Sequence, residues 1–489
     1  MGSSLINRAL PAAVLFLSLI AQPMAAPPAT ADPADVGEWA APIDVGVIGI
    51  HAILLHTGKV ILYSTPEEPI TSPVRLFDPE TEAITDISIP DERKLFCTGH
   101  SFLADGRVFL SGGQSLPRTG VVDSDFFDPQ SETWESGPDM NRSRYYPTNV
   151  TLGNGRVLIF GGQRNDYYTH RTIEVYNPGS DTIDLLPKSA NKPLGMYPRV
   201  HLLPGGKLFW AGEQYTDEEP VTAFFKVNRA KWNEVGDFKS KRRFEAPVVL
   251  LPGLNKILVP GGDRSFTHAH GVGMDSVETI NLSARNPQWR YTTPMNFPRG
   301  HHNAVLLPDG TVLVVGGAAE GAYGEPVKEA ELFDPETKTW EVMAAQQAPR
   351  AHHSTALLLP DGRVLTAGQN HEDEGFAETV EIFSPPYLHT GTPRPKIDAA
   401  PTDVEYGDAL PITTGEADGI ERVALMRPGA VTHANDMEQR YVDLDFSLGA
   451  GVVNAEVPSN PNVAPPGYYM LFIVDSEGVP SEATWIKVG

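Results

Sequence analysis

Side chains that can bind a transition metal recur at one place in a repeated unit of this chain. Each stands 15 or 16 residues before the end of its unit: Cys97, Tyr146, His301, His302, His352 and His353. Equivalent positions in a ring of repeats converge in space even when they are far apart in the chain. Imidazole, phenolate and thiol together suit copper or another borderline transition metal. The spacing therefore predicts a metal site where the units meet.

Each of these residue types also has a structural interpretation. The pair His301-His302 is more often a hydrogen-bonding tie between neighbouring units than a ligand pair, and a tyrosine beside Arg144 is more often packing than chemistry. Cys97 is the single cysteine, and a buried thiol commonly behaves as a small apolar side chain. Other units place less reactive residues at this position, such as Met196 and Ala246. Only the combination points to a site.

The repeated unit itself predicts the architecture. It reads as a short apolar strand, a glycine-bearing turn, a second apolar strand and then Gly-Gly or a near equivalent. Seven copies end at residues 64, 113, 162, 212, 262, 317 and 368, 49 to 55 residues apart. A period of about 50 residues with four strands is typical of a kelch-type propeller blade. We therefore expect an all-β fold with a seven-bladed kelch-like β-propeller over residues 45–385.

The last hundred residues predict a different domain. The rhythm of the repeats ends after Phe383, and a proline-rich stretch from Thr392 to Pro395 follows. Short alternating strands then run to the end of the chain, as in a β-sandwich of about 100 residues. Residues 386–489 are expected to form an immunoglobulin-like β-sandwich domain.

Composition and the amino terminus indicate the compartment. The 489 residues carry a net charge of −24, which argues against nucleic acid as a partner because phosphate binding needs a basic face. Residues 1–26 read as a signal peptide, with Arg8 before an apolar core, and residues 27–44 read as a flexible lead-in. No later segment has the roughly 18 apolar residues of a membrane span. We expect a secreted or periplasmic monomer.

Several segments resemble the galactose oxidase and glyoxal oxidase family of mononuclear copper-radical oxidases, from about residue 45 to the end. The segments are Phe96-Cys97-Thr98-Gly99, RYYPT from Arg144, His352-His353-Ser354, RPGAVTHANDMEQR from Arg427 and PPGYYMLFIVDSEGVPS from Pro465.

The resemblance implies a particular cofactor and reaction. One copper per chain would be bound by Tyr146, His353 and His433, and a thioether would join Cys97 to the ring of Tyr146. This cofactor would oxidise small aldehydes or primary alcohols with O₂ and give hydrogen peroxide. A thioether needs no second thiol, so it would also account for the lone cysteine.

Two positions depart from the family pattern. The family has an axial tyrosine, its proton acceptor, immediately before the copper histidine, and this chain has His352 there. A histidine could accept the proton, since its ordinary pKa of about 6.5 lies near operating pH; it could also bind copper and close the site. The tryptophan that shields the cross-link is missing after Gly161-Gly162, where Tyr167, Tyr168 or Trp210 could substitute.

Two other functions remain open on the sequence. A non-catalytic propeller could bind glycan or cell-wall partners through its loops. A copper-binding relative could have lost radical turnover through His352.

Overall fold

The structure is a computed structural model that describes residues 31–65, 73–89, 93–115, 118–165, 168–212, 221–264, 271–371 and 375–489. The expected signal peptide, residues 1–26, lies outside the described residues. Strands dominate the fold. Its helices are one short α-helix, Pro33–Val36, and the 3₁₀ turns Lys188–Ala190, Val227–Arg229, Pro386–Leu388 and Ala417–Gly419 among the described residues.

Seven antiparallel sheets, blades 1 to 7, surround an axis, and first strands contact one another from blade 2 to blade 4, from blade 5 to blade 7 and between blades 7 and 1. From the axis outwards, blades 1 to 3 consist of His51–Leu54, Val60–Tyr63, Val74–Phe77 and Ile84–Asp86; Gly99–Phe102, Val108–Ser111, Ser124–Asp128 and Thr133–Ser136; and Tyr145–Thr151, Val157–Asn165, Glu174–Asn177 and Thr182–Leu185. Blades 4 to 6 consist of Val200–Leu202, Lys207–Trp210, Thr222–Lys226 and Lys231–Gly236; Val249–Leu250, Lys256–Pro260, Val277–Asn281 and Arg290–Thr292; and Asn303–Leu306, Val312–Val315, Glu329–Asp334 and Thr339–Ala345. Blade 3 is extended by Gln114–Ser115, Thr119–Gly120 and Tyr168–Thr169.

The second strands of most blades are short, largely apolar runs because both of their faces are covered. All four residues of Val312–Val315 are buried, as are those of Val364–Ala367. A continuous apolar run of this length is typical of a strand packed on both sides. At the turn before Val312–Val315, Gly310 has a φ of 90°, which suits glycine, and Asp309 Oδ1 accepts the Thr311 amide at 3.0 Å.

Blade 7 is closed by the amino-terminal end of the described chain. Its strands are Thr355–Leu358, Val364–Ala367 and Thr379–Ser384, with Glu38–Trp39 and Ile43–Asp44 paired to the last of these. Trp39 lies opposite Phe383, and its indole N–H donates to Ala344 O of blade 6 at 2.8 Å. The expectation of a flexible lead-in over 27–44 is thus corrected for residues 33–44, which form a helix and two strands. Pairing them covers an edge that would otherwise stay open.

Buried arginine–glutamate pairs brace four of the blades just before the inner strand begins. The pairs are Arg144–Glu174, Arg243–Glu278, Arg299–Glu331 and Arg350–Glu381. Each arginine also donates to the carbonyl of a glycine in or directly after the second strand, for example Gly161 at 2.6 Å and Gly316 at 2.9 Å. These contacts hold the backbone segment that leads into the axis.

The carboxy-terminal region forms two facing sheets over a separate apolar core. One sheet contains Asp403–Val404, Thr484–Val488, Gly467–Asp475, Ile420–Arg427 and Arg440–Asp443, and the other contains Ala409–Thr413, Val452–Glu456 and Phe446–Gly449. A two-stranded hairpin, Asn370–His371 with Gly375–Phe376, lies between strands of blade 7. The propeller with a following β-sandwich confirms the predicted fold class.

A hairpin of the second domain enters the propeller. Ala430–Thr432 and Asn435–Asp436 form this hairpin, and the first of these strands pairs with His51–Leu54 of blade 1, so that Thr432 lies opposite His51. The turn of the hairpin therefore sits at the axis. Among the described residues, no helix has the length and apolarity needed to cross a membrane.

Candidate metal centre

Strained backbone marks the entrance of the chain into the axis of the propeller. In blades 2 to 7 one residue at or shortly before the start of the inner strand has a positive φ, between 40° and 64°: Cys97, Tyr146, Tyr197, Glu245, His301 and His353. Such conformations cost about 1–3 kcal/mol each in residues other than glycine and concentrate at functional sites. These six side chains form the mouth of the propeller.

Two members of the mouth were missed by counting along the sequence. Blades 4 and 5 place Tyr197 and Glu245 there, in place of Met196 and Ala246. The mouth residue stands between 15 and 17 residues before the terminal glycine of its unit, so a fixed count from that glycine shifts the register. In blade 5 the spacing from the braced arginine would have located Glu245, which stands two residues after Arg243 as Tyr146 stands two after Arg144.

Cys97 and Tyr146 are in direct contact, as predicted from their equivalent positions. The Tyr146 amide donates to Cys97 O at 2.8 Å, and the two side chains are within hydrogen-bonding reach of each other. Burial raises the pKa of the Cys97 thiol and that of the Tyr146 phenol well above their ordinary values. Both groups are therefore protonated at neutral pH in the protein without metal, and a metal would have to displace the phenol proton.

His353 and His433 come from different domains and meet at this mouth. Their ring centroids are 4.5 Å apart at an interplanar angle of 75°, and the His433 ring lies 5.2 Å from that of Tyr146. His433 occupies the turn of the inserted hairpin, with a φ of 48°. The tail's predicted histidine is thus brought to the propeller's predicted tyrosine and histidine.

Hydrogen bonds fix the orientation of His433. Its carbonyl accepts from Arg199 Nη2 at 2.8 Å, and its Nδ1 lies 2.6 Å from Thr432 Oγ1. The Thr432 hydroxyl donates to Ile50 O at 2.9 Å, so its oxygen accepts from His433 Nδ1–H. This assigns the proton to Nδ1 and the lone pair to Nε2, the arrangement that a histidine needs to bind a metal through Nε2.

Aromatic rings enclose Tyr146. Tyr145 and Tyr197 lie 5.0 and 5.1 Å from it between ring centroids, and Tyr197 donates its hydroxyl to Thr98 O at 2.9 Å. Trp210 does not shield this ring, since it packs in the core between blades 3 and 4 and donates to Gly212 O. Tyr167 and the side chain of Tyr168 lie outside what the structure describes. Of the three alternatives, Trp210 is therefore wrong, and the described tyrosine rings beside Tyr146 are those of Tyr145 and Tyr197.

His352 stacks on His353 and begins a row of buried polar side chains that continues through His301 to Asp263. The two rings are 3.7 Å apart at 30°. His352 Nδ1 lies 3.2 Å from His301 Nδ1, and His301 Nε2 lies 3.2 Å from Asp263 Oδ2. Burial alone would lower the pKa of His301, but the carboxylates of Glu245 and Asp263 raise it above its ordinary value.

The two histidines of blade 6, His301 and His302, have different roles, one at the site and one in packing between blades. His301 belongs to the mouth, whereas His302 packs beside Gly261 of blade 5. Burial, followed by the nearby Arg299, lowers the pKa of His302 well below its ordinary value. His302 therefore stays neutral and acts in packing between blades.

The donor set fits copper. Two imidazoles and a phenol, with a thiol against the phenol, are the borderline and anionic ligands that copper accepts. Within the described residues no group of three or more His, Cys, Asp or Glu side chains has the geometry of a metal site. The set at the mouth is instead mixed, with the Tyr146 phenol beside the rings of His353 and His433.

Comparison with known proteins places the chain in a family. The family model of the glyoxal oxidase N-terminus matches residues 70–387, and that of the galactose oxidase-like early set domain matches residues 394–488. The chain belongs to the galactose oxidase and glyoxal oxidase family of copper-radical oxidases. It is therefore an oxidase, and the resemblance seen in its sequence is confirmed.

Individual relatives agree with this assignment. Galactose oxidase of Gibberella zeae is 29% identical over 502 residues, spanning 94% of this chain and 72% of the relative. An aldehyde oxidase of Vitis pseudoreticulata is 30% identical over 449 residues, spanning 80% of this chain and 82% of that protein. The solved structure of a fungal alcohol oxidase of the AA5 family, in complex with copper, is 25% identical, covers 93% of this chain and 100% of that one, and superposes with a TM-score of 0.82.

Proposed function

We propose that this protein is an exported copper-radical oxidase that oxidises small aldehydes or primary alcohols with O₂ and releases hydrogen peroxide. One observation carries the proposal. Four distant chain segments bring Cys97, Tyr146, His353 and His433 to one mouth, with the thiol against the phenol and the two imidazole rings 4.5 Å apart.

Each of these side chains has a distinct part. Tyr146, His353 and His433 would hold the metal, and Cys97 would be joined to the Tyr146 ring through a thioether. Bound copper would supply one-electron redox chemistry and a Lewis-acidic position for the substrate oxygen. Arg199 and Thr432 keep His433 in the orientation and tautomer required, and the rings of Tyr145 and Tyr197 limit the access of water to the phenol.

His352 is the proposed proton acceptor for the substrate hydroxyl. A proton taken up at Nε2 can be balanced by passing the Nδ1 proton to His301 Nδ1, 3.2 Å away. His301 tolerates that charge because Asp263 lies 3.2 Å from its other nitrogen and Glu245 lies 3.9 Å from Nδ1. The chain thus provides a base with a built-in counter-charge, in place of the family's axial tyrosine.

The proposal is tested by loading the purified protein with copper in air and measuring peroxide release over a panel of aldehydes and primary alcohols. Intact-mass and peptide spectra should show the loss of two hydrogens in a peptide that links Cys97 to Tyr146. Cys97→Ser removes the link while changing one atom, and it should abolish most of the activity. A free Cys97 thiol and no peroxide at full copper occupancy would refute the proposal and leave a binding propeller as the better account.

One observation favours a second candidate function, that of a copper protein without radical turnover. His352 is stacked on His353, so a third imidazole is close enough to compete for the position on copper that the substrate oxygen would take. His352→Phe and His352→Tyr separate the two functions. If His352 is the base, Phe lowers turnover by about 10²–10⁴-fold with copper and cross-link retained, and Tyr keeps activity near that of the unmodified protein. A large gain with Tyr instead would mean that His352 blocks turnover.

A further inference from the structure

A buried pair of histidines lies behind Cys97 and has no part in the proposed reaction. His51 and His100 belong to the inner strands of blades 1 and 2, and neither is exposed to solvent. His51 Nδ1 lies 3.2 Å from His100 Nε2. Polar groups in such a position need a reason, because each buried imidazole that lacks a partner costs stability.

The direction of the hydrogen bonds follows from the amide of Cys97. Cys97 N–H donates to His51 Nε2 at 3.1 Å, so that nitrogen carries the lone pair and the proton of neutral His51 is on Nδ1. His51 Nδ1–H then donates to His100 Nε2, which places the proton of His100 on Nδ1. The pair therefore works as an oriented acceptor aimed at one backbone amide.

That amide belongs to a residue with unusual geometry. Cys97 has a φ of 61°, a backbone conformation that residues other than glycine and asparagine seldom adopt. The backbone of Cys97 is held on both sides, because its N–H donates a hydrogen bond to His51 and its carbonyl accepts one from the Tyr146 amide at 2.8 Å. Together these two bonds set the direction of the Cα–Cβ bond, and hence the position of the sulfur against the Tyr146 ring.

The ring of His51 is itself immobilised. It stacks on Tyr63 with centroids 4.2 Å apart at 8°, and the Tyr63 hydroxyl is 2.8 Å from Thr98 Oγ1 in the residue that follows Cys97. The acceptor and the segment it holds are thus linked by a second route through the same tyrosine. Such support is what keeps a functional side chain within a few tenths of an ångström of its working position.

We propose that His51, supported by His100, is a positioning residue for the formation of the Cys97–Tyr146 thioether. In that step the S–H bond of Cys97 and the C–H bond of Tyr146 ortho to its hydroxyl break, and a C–S bond forms. Two electrons and two protons pass to O₂, which becomes hydrogen peroxide. The inference rests on the proposed function, since it assumes that the cross-link forms.

The test follows cross-linking in time with protein prepared without copper and then exposed to copper and air. Samples are quenched with chelator, and the fraction that has lost two hydrogens is read by intact mass. His51→Phe keeps a ring to stack on Tyr63 but removes the acceptor, and it should slow cross-linking by roughly tenfold or more, as the loss of a buried hydrogen bond would. His51→Gln offers an amide oxygen to Cys97 N–H and should restore part of the rate.

A matched control comes from the same blade. His56 also stacks on a tyrosine, with its ring 4.0 Å from that of Tyr468 at 11°, but it lies away from Cys97, so His56→Phe should cross-link at the rate of the unmodified protein. Copper bound per chain should be equal in all variants, because none of these residues is a proposed ligand.

The outcomes separate this inference from the proposed function. An unmodified protein that never cross-links contradicts the proposed function. A cross-linking unmodified protein with an equally fast, folded His51→Phe variant overturns the positioning role alone. If His51→Phe fails to fold, His100→Leu is the deciding variant. It removes the acceptor of His51 Nδ1–H and so permits the tautomer with the proton on Nε2, which cannot accept a hydrogen bond from Cys97 N–H. An unchanged cross-linking rate in that variant would also overturn the inference.

Discussion

Replacing Asp263 with asparagine should change the pH dependence of turnover through His301. The substitution keeps an oxygen for His301 Nε2, now 3.2 Å from Asp263 Oδ2, and removes only the negative charge. At that distance two unit charges in an effective dielectric of about 20 interact by about 5 kcal/mol before desolvation is subtracted. A carboxylate in such contact usually shifts a neighbouring pKa by about 1–3 units, or about 1.4–4 kcal/mol.

The sign follows from the direction of the shift. Glu245 and Asp263 together raise the pKa of His301 against the effect of burial, so removing one of them lowers it. His301 can accept a proton only when it is neutral, and its acid limb in a plot of kcat against pH should therefore move to lower pH, by about 1–3 units. At the plateau kcat should fall by about tenfold, because a weaker base accepts the proton less readily.

The assay is peroxide release at saturating substrate from about pH 4 to 9, in copper-loaded and fully cross-linked protein. Asp334→Asn serves as a control, since the Asp334 carboxylate caps an outer turn through bonds to residues 336 and 337. A profile for Asp263→Asn that overlays that of the control would refute the relay from His352 through His301.

Three further predictions concern stability and metal binding. Arg199→Met should weaken copper binding by about 10–100-fold, because the guanidinium no longer holds the carbonyl of His433. Competition with a chelator measures the affinity, and an unchanged affinity would show that Arg199 does not position His433 for the metal. Glu331→Gln should lower the free energy of unfolding by about 3–5 kcal/mol in urea titrations, since it leaves the buried charge of Arg299 without its carboxylate; a loss below about 1 kcal/mol would class the pair with surface salt bridges. Burial lowers the pKa of His100 to about 3, so the unfolded chain binds protons first, and stability present above about pH 6.5 should fall by about 1.4 kcal/mol per pH unit on acidification; His100→Gln should flatten that slope, and an unaltered slope would show that this histidine does not contribute.

Much of the site was predictable because repeats convert position in the chain into position in space. Cys97, Tyr146 and His353 stand at equivalent places of their units, and a propeller brings such places to one mouth whatever the intervening sequence. His433 lies outside the repeats, so only its resemblance to a family segment indicated it. Its path to the mouth, through a hairpin paired with blade 1, depends on contacts between residues almost 400 positions apart, such as His51 and Thr432.

The sequence by itself determined the number of blades, the class of the second domain and the chemical types gathered at the axis. Those properties follow from the period of apolar strands and glycine turns, which are local signals. Only the tertiary structure decided that Tyr197 joins the mouth, that His301 faces Asp263 while His302 packs between blades, and that His51 holds the Cys97 amide. Each of these depends on a one-residue register or a ring orientation, which are set by packing and hydrogen bonds between blades rather than by any pattern within one blade.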